Sequence, residues 1–175
     1  TVLGSGVIAS EYASIFAALG VRVTMVDRAE RPLAFLEEEF TERFLQSFVS
    51  NGGRFLGRQE ISKVAWDGFS AVETTLAGGE VLRSEKMLCA LGRLANTEGL
   101  HLAAAGLELT PRGFIAVNEA CRTKVSHIYA VGDVIGPPAL ASCAMEQGRR
   151  AICDALGLGV QTAAALIPMG IYTIP

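Results

Sequence analysis

Long apolar runs, paired cysteines and clustered basic charge are all missing from this 175-residue chain. The longest apolar stretch near the C-terminus, residues 162–167, is too short to cross a bilayer and is cut by Pro168, so no membrane partner is expected. No basic-then-apolar leader stands at the start. Cys89, Cys121, Cys143 and Cys153 are spread without C-x-x-C spacing or paired histidines nearby. They read as small hydrophobes of a reduced, cytoplasmic chain rather than as a metal site or redox pair. The net charge is only −3, and without a Lys/Arg cluster there is nothing to track a nucleic-acid backbone. An initiator methionine is also missing, and the chain stops at Ile171-Tyr172-Thr173-Ile174-Pro175 without a cap or polar tail, so a piece of a longer enzyme is expected.

What is present supports a folded body. Half the residues are apolar and 19% are charged, which excludes disorder and allows a sizeable core. The length suits one ordinary domain, or one domain plus part of another. Thr1 to Leu3 reads as the end of a buried strand. Val7, Ile8, Tyr12, Ile15, Phe16 and Leu19 then repeat at helical spacing until Gly20. Residues 21–26 are a β-branched strand ending at Asp27, which completes a βαβ unit. A second helix is predicted over residues 35–50, with Leu36, Phe40, Phe44 and Phe48 along one face, followed by a strand at 54–56.

From residue 60 to 82 the period changes to two, punctuated by Asp67-Gly68 and Gly78-Gly79, as in an antiparallel β-meander. Another buried strand at 86–91 delivers Gly92-Arg93 at its C-terminal end, where ligands bind in open α/β sheets. A short helix around 97–105, a turn at Pro111-Arg112-Gly113, a strand at 127–131 running into Gly132-Asp133, and a helix at 140–156 complete the reading. The fold class is α/β: a Rossmann-like dinucleotide-binding domain with a parallel sheet and an appended antiparallel meander. A domain boundary is placed near residues 93–118.

The chemistry is carried by Gly4-Ser5-Gly6-Val7-Ile8-Ala9. Gly4 permits the tight turn, Gly6 lets backbone approach a pyrophosphate, and Ala9 lets the helix sit close to the sheet. Free N–H groups and the helix dipole favour the anion at that helix start. Asp27 follows at about the twenty-residue spacing that places a carboxylate on the adenosine ribose hydroxyls. By itself it points to NAD; Arg28 and Arg31 beyond it are either solvated loop charges or a means of accepting NADP as well. Glu11 is a helix-surface charge or a group aimed at the nicotinamide end. The stretch from Thr123 to Gly132-Asp133 presents a carboxylate either to sugar-like hydroxyls or simply to solvent. His127 reads as a strand-entry residue and His101 as a helix-surface one, with no partner suggesting a ligand or base.

These residues resemble the flavoprotein pyridine nucleotide-disulfide oxidoreductases over essentially the whole chain. Gly4 to Glu11 looks like the family's NAD(P) turn, Met87 to Arg93 with Asn96 like its strand-to-Gly-Arg crossover, and Thr123 to Asp133 like its second FAD motif. Within the group, Glu11 to Gly20, Phe35 to Glu39 and Gly132 to Ser142 look most like the transhydrogenase branch. That branch moves hydride between NADH/NADPH and NAD/NADP through FAD. The resemblance implies that Gly4, Gly6 and Ala9 hold the NAD(P) pyrophosphate, Asp27 the ribose, and Glu11 and Gly92 the nicotinamide region. It implies that Asp133, after Gly132, meets the ribityl and phosphate part of FAD, with Ala139, Leu140 and Ala141 near the flavin ring. No catalytic residue is assigned within the chain.

Val7 stands where relatives often carry an aromatic gate, and Ala95 where many have proline. The implied organisation is an NAD(P)-binding domain at 1–117, a returning part of the FAD-binding domain at 118–160, and a lead-in at 161–175 to a dimerisation domain, giving a homodimer. Alternatives are dihydrolipoyl dehydrogenase or another disulfide reductase of the family, and a non-catalytic NAD(H)-binding module.

Overall fold

The computed structural model describes residues 1–159 and 167–174, so most of the apolar run at 162–167, and Pro175, fall outside the described residues. The chain divides into two compact units: Thr1–Gly92 together with the segment from Ile171, and Arg93–Gly170. Among the described residues no helix is long and apolar enough to cross a membrane.

The first unit is built on a four-stranded sheet in the order β3-β2-β1-β7, every pair parallel. Its strands are β1 (Val2–Leu3), β2 (Thr24–Val26), β3 (Arg54–Leu56) and β7 (Leu88–Cys89). Register places Val2 beside Met25 and Leu3 beside Val26. Because successive side chains point to opposite faces, Val2 and Met25 enter the core under the helices, while Leu3 and Val26 join Leu76 on the other face. The helices are α1 (Val7–Ala18) and α2 (Glu38–Ser50). The second face is covered by the meander β4 (Ile61–Trp66), β5 (Val72–Leu76) and β6 (Val81–Ser84), antiparallel in sequence order as the period-two pattern predicts. At its first turn Asp67 Oδ1 accepts the N–H groups of Phe69, Ser70 and Ala71, and Oδ2 pairs with Arg83 at 2.7 Å. Those backbone donors hold its carboxyl well below the usual carboxylate range.

Two helices bury faces other than the expected ones. In α1 the large apolar residues mark the helix but not its inner side: Ala9, Ser10, Ala13, Ser14 and Ala17 are buried, whereas Ile8, Tyr12, Ile15 and Leu19 are exposed. Its fully buried positions carry small side chains, with Val7 and Phe16 partly buried against the same core. α2 begins at Glu38 rather than 35, with Glu38 and Glu39 favourably placed at its positive end. It buries Thr41, Phe44 and Phe48 and leaves Phe40 exposed. A strict four-residue repeat precesses by about 40° per step around a helix of 3.6 residues per turn, so the line from Leu36 to Phe48 cannot stay on one face.

The second unit is largely irregular. The expected short helix at 97–105 is two 3-10 turns, Glu98–Leu100 and Leu102–Ala105, separated by His101 at φ 48°. The expected strand at 127–131 is not a strand: Tyr129 makes an isolated bridge to Arg122, flanked by the bonds Thr123 N to Ile128 O and Ala130 N to Cys121 O, while Ile128 N turns back to Val125 O, so the pairing stops at that one bridge. A 3-10 turn, Gly132–Ile135, leads to α3 (Ala141–Ala155).

What ties this unit together is Asp154. Its Oδ2 accepts Arg122 Nε and Nη2 at 2.9 and 2.5 Å and the Tyr129 hydroxyl at 2.6 Å, while the guanidinium lies 5.7 Å from the centre of the Tyr129 ring. The Tyr129 hydroxyl first, and Arg122 second, hold the Asp154 carboxyl below its ordinary range. A depressed folded pKa contributes stability that is complete above the unfolded value near ~3.9 and is lost as pH falls through the folded one. Asp154→Asn is therefore expected to shrink the difference in urea midpoint between neutral and acid pH, leaving the part due to Asp67 and Glu146, whose carboxyls are also lowered. An undiminished acid dependence would remove Asp154 from the set of groups that cause it.

Candidate dinucleotide site

At the C-terminal end of the parallel strands a cavity of about 460 Å³ is lined by Gly4, Ser5, Gly6, Asp27, Arg28, Gln59, Ile61, Ala90, Leu91 and Gly92. That size suits a small-molecule pocket. Gly4 leaves β1 at φ 106°, and a Cβ there would stand 2.4 Å from Ala90 O, so both conformation and space demand glycine. Its N–H donates to Val26 O at 2.8 Å, which carries the sheet pairing into the turn. Gly6 is different: its φ is −72° and a Cβ would meet nothing within 4 Å, so it faces open space. It caps α1 without any side-chain hydrogen bond, and no acidic residue occupies the first turn. The orphan N–H groups there are thus left for something other than a cap. Ala9 is fully buried, as close approach of helix to sheet requires.

Asp27 stands just past β2. Its Oδ1 accepts Ala29 N at 2.7 Å, an Asx turn that fixes the side chain, and Oδ2 has no hydrogen-bond partner among the described residues. Arg28 also lines the cavity and is paired with Glu60 at 2.6 Å. Arg31 does not line it; its Nη2 donates to Leu36 O at 3.3 Å, and its buried Nη1 has no partner among the described residues. Glu11 lies away from this cavity on α1, where Oε1 accepts the Tyr172 N–H at 2.8 Å. One helical turn on, Ser14 Oγ accepts the N–H of Ile174 at 3.0 Å. The segment from Ile171 is thereby laid along the edge of α1.

In the second unit Asp133 lies in the 3-10 turn and pairs through Oδ2 with Arg93 at 2.7 Å. Gly132 N donates to Gln147 Oε1 of α3 at 2.7 Å, which fixes the turn against the helix. Leu140 caps α3 in an extended conformation without a side-chain hydrogen bond, and Ala139 and Ala141 beside it are exposed. Donors and small side chains are thus presented together. Among the described residues no group of His, Cys, Asp and Glu is arranged to hold a metal ion. Sequence reasoning missed Gln59 and Ile61 as lining residues and Glu60 as the partner of Arg28. The only local signal was Gly57, where a Cβ would meet Glu30 O at 2.5 Å and which brings the connector after β3 against the loop after β2.

The sequence matches the family profile described as pyridine nucleotide-disulphide oxidoreductase over residues 1–148. It is 45% identical over 174 residues to a soluble pyridine nucleotide transhydrogenase of Chromohalobacter salexigens, covering 99% of this chain and 37% of that protein. Another of that name, from Mycobacterium bovis, is 44% identical with the same coverage. The chain therefore spans a little over a third of the length of these curated relatives. The fold is similar to that of LpdA from Mycobacterium tuberculosis, with a TM-score of 0.87 and 32% identity over 93% of this chain and 35% of that one. It is also similar to that of the HOCl-induced flavoprotein disulfide reductase RclA from Escherichia coli, with a TM-score of 0.85 and 25% identity over 92% and 37% of the two chains. Since the family profile covers most of the chain and these matches agree with it, the protein belongs to the pyridine nucleotide-disulphide oxidoreductase family.

Proposed function

We propose that the chain is part of an FAD-dependent transhydrogenase that moves hydride between NADH or NADPH and NAD or NADP, acting as a cytoplasmic homodimer. The NAD(P) site lies within residues 1–92. Residues 118–160 belong to the returning part of an FAD-binding domain, and 161–175 lead towards a dimerisation domain. The observation that carries the reading is the glycine turn: Gly4 is forced by Ala90 O, Gly6 faces open space, and the uncapped start of α1 and the Asp27 carboxylate stand at the same cavity. Identity of 40 to 45% to soluble pyridine nucleotide transhydrogenases supports the choice within the family.

In this reading the orphan N–H groups at the start of α1 neutralise the pyrophosphate without a counter-ion, and Gly6 keeps side-chain bulk out of its path. The free oxygen of Asp27 accepts from the adenosine ribose hydroxyls. Glu11, already placed by the Tyr172 N–H, orients the nicotinamide carboxamide, and Gly92 allows close approach to the same ligand. Asp133 would receive the ribityl and phosphate region of FAD. The exposed Ala139 and Ala141, with Leu140 between them at the uncapped start of α3, would stand by the flavin ring, small side chains beside free backbone N–H groups that leave room for a planar group. When bound, the flavin supplies two-electron hydride chemistry; the protein supplies binding, orientation and exclusion of water.

A second reading, a disulfide reductase of the same family, is favoured by the structural similarity to the flavoprotein disulfide reductase RclA. One assay separates the two. The full-length protein is expected to pass hydride from NADPH to an NAD analogue with no thiol or disulfide present. Activity only when a disulfide substrate is added would overturn the transhydrogenase reading in favour of the reductase.

A further inference from the structure

Beside Asp27 the cavity is lined by Arg28, Gln59 and Ile61, which stand on two backbone runs, 27–31 and 57–60, that continue the β2–β3 pairing past the strand ends. Asp27 N donates to Leu56 O at 3.1 Å, Gln59 N to Asp27 O at 2.9 Å, and Arg58 N to Ala29 O at 3.0 Å. Across this seam the charges are matched in two ion pairs, Arg28 with Glu60 and Arg58 with Glu30. Arg31 is turned to Leu36 O, so among the lining residues Arg28 carries the one guanidinium. Its partner Glu60 is the residue between the lining Gln59 and Ile61.

The side chains of Arg28 and Glu60 are 74% and 59% exposed, so solvent screens their attraction and the pair is easily exchanged for another. A dinucleotide lacking a 2′-phosphate makes no demand on that pair, since Asp27 alone meets its ribose. One carrying the 2′-phosphate brings a dianion to a wall that holds the Asp27 carboxylate and one guanidinium already engaged by Glu60. We propose that Glu60 is a specificity-determining residue that occupies Arg28 and so sets the balance between NADP(H) and NAD(H) at the site. The assignment rests on the dinucleotide reading of the cavity given above. Removing the Glu60 charge leaves Asp27 and a released Arg28 on the wall. The balance facing the phosphate then moves from net negative to neutral, and a bidentate donor becomes available.

The test is fluorescence titration of NADH and NADPH into the chain and into its Glu60→Gln, Arg28→Ala, doubly substituted and Asp27→Ala variants. Glu60→Gln is expected to lower the Kd for NADPH by about fivefold, the scale of one exposed ion pair, with that for NADH unchanged. In the Arg28→Ala background the same substitution is expected to keep only the smaller part of that gain. An equal shift for both nucleotides, or the full gain without Arg28, would overturn the role of Glu60. Asp27→Ala separates this failure from a deeper one. If Asp27→Ala weakens NADH binding while Glu60→Gln changes no ratio, only the specificity assignment falls. If neither nucleotide binds, or Asp27→Ala leaves NADH binding untouched, the dinucleotide reading falls with it.

Discussion

Phe48→Ala is expected to lower the unfolding free energy of the first unit by about 3–5 kcal/mol, the range for truncating a buried phenylalanine. Phe48 is 1% exposed and is the largest fully buried side chain among the described residues. It lies nearly parallel to Phe44, ring centres 5.9 Å apart and planes 11° from coincidence. Its ring also rests on Gly53, where a Cβ would come within 2.4 Å of it. The ring is thus clasped between its own helix and the residue that leads into β3. Met25, Leu33 and Phe44 share its cluster, and how far they close over the space sets where in that range the cost falls. Urea denaturation followed by circular dichroism measures it, and a loss below about 1 kcal/mol would show that the site collapses around the gap.

Gly4→Ala is expected to cost about 2–5 kcal/mol, from strained backbone together with overpacking against a main-chain atom. At φ 106° an L side chain is strained wherever it points, and here it points at Ala90 O, 2.4 Å away. Backbone cannot swing aside as a side chain would, so β1 and β7 must part. Gly6→Ala is the matching contrast. With an ordinary φ of −72° and nothing within 4 Å of the added carbon, its stability should stay close to that of the parent while dinucleotide binding weakens. The two variants, compared by thermal unfolding and by NADH titration, separate a glycine the fold needs from one its ligand needs. Equal loss of stability in both would remove that distinction.

Much of this was readable from the chain because it is local. The turn at Gly4 to Ala9, the strand-length run before Asp27 and the period-two meander each declare themselves within about two dozen residues, and the structure contains all three. What was not readable depends on what lies opposite. The inner face of α1 is set by how close the sheet comes, so Ala9, Ala13 and Ala17 are chosen over Ile8, Tyr12 and Ile15 although the latter are larger. The run at 127–131 has strand chemistry but, among the described residues, pairs with 121–123 only through a single bridge. Long-range pairing is likewise invisible to pattern: Arg28 and Glu60 are 32 positions apart, as are Arg122 and Asp154. At the cavity this hid the most, since Arg28 reads as a free cation until its partner is seen.

The small-residue face of α1 has a consequence for binding entropy. With alanine and serine at its fully buried positions, the first turns of the helix have no long side chain against the strands to rearrange. Ser10 Oγ further ties it to Ser5 O at 3.2 Å within the turn itself. The array of N–H groups at its start is accordingly set by folding rather than by the incoming molecule. An anion arriving there would meet donors already aligned, so the ordering cost that usually erodes affinity falls on the folding step instead.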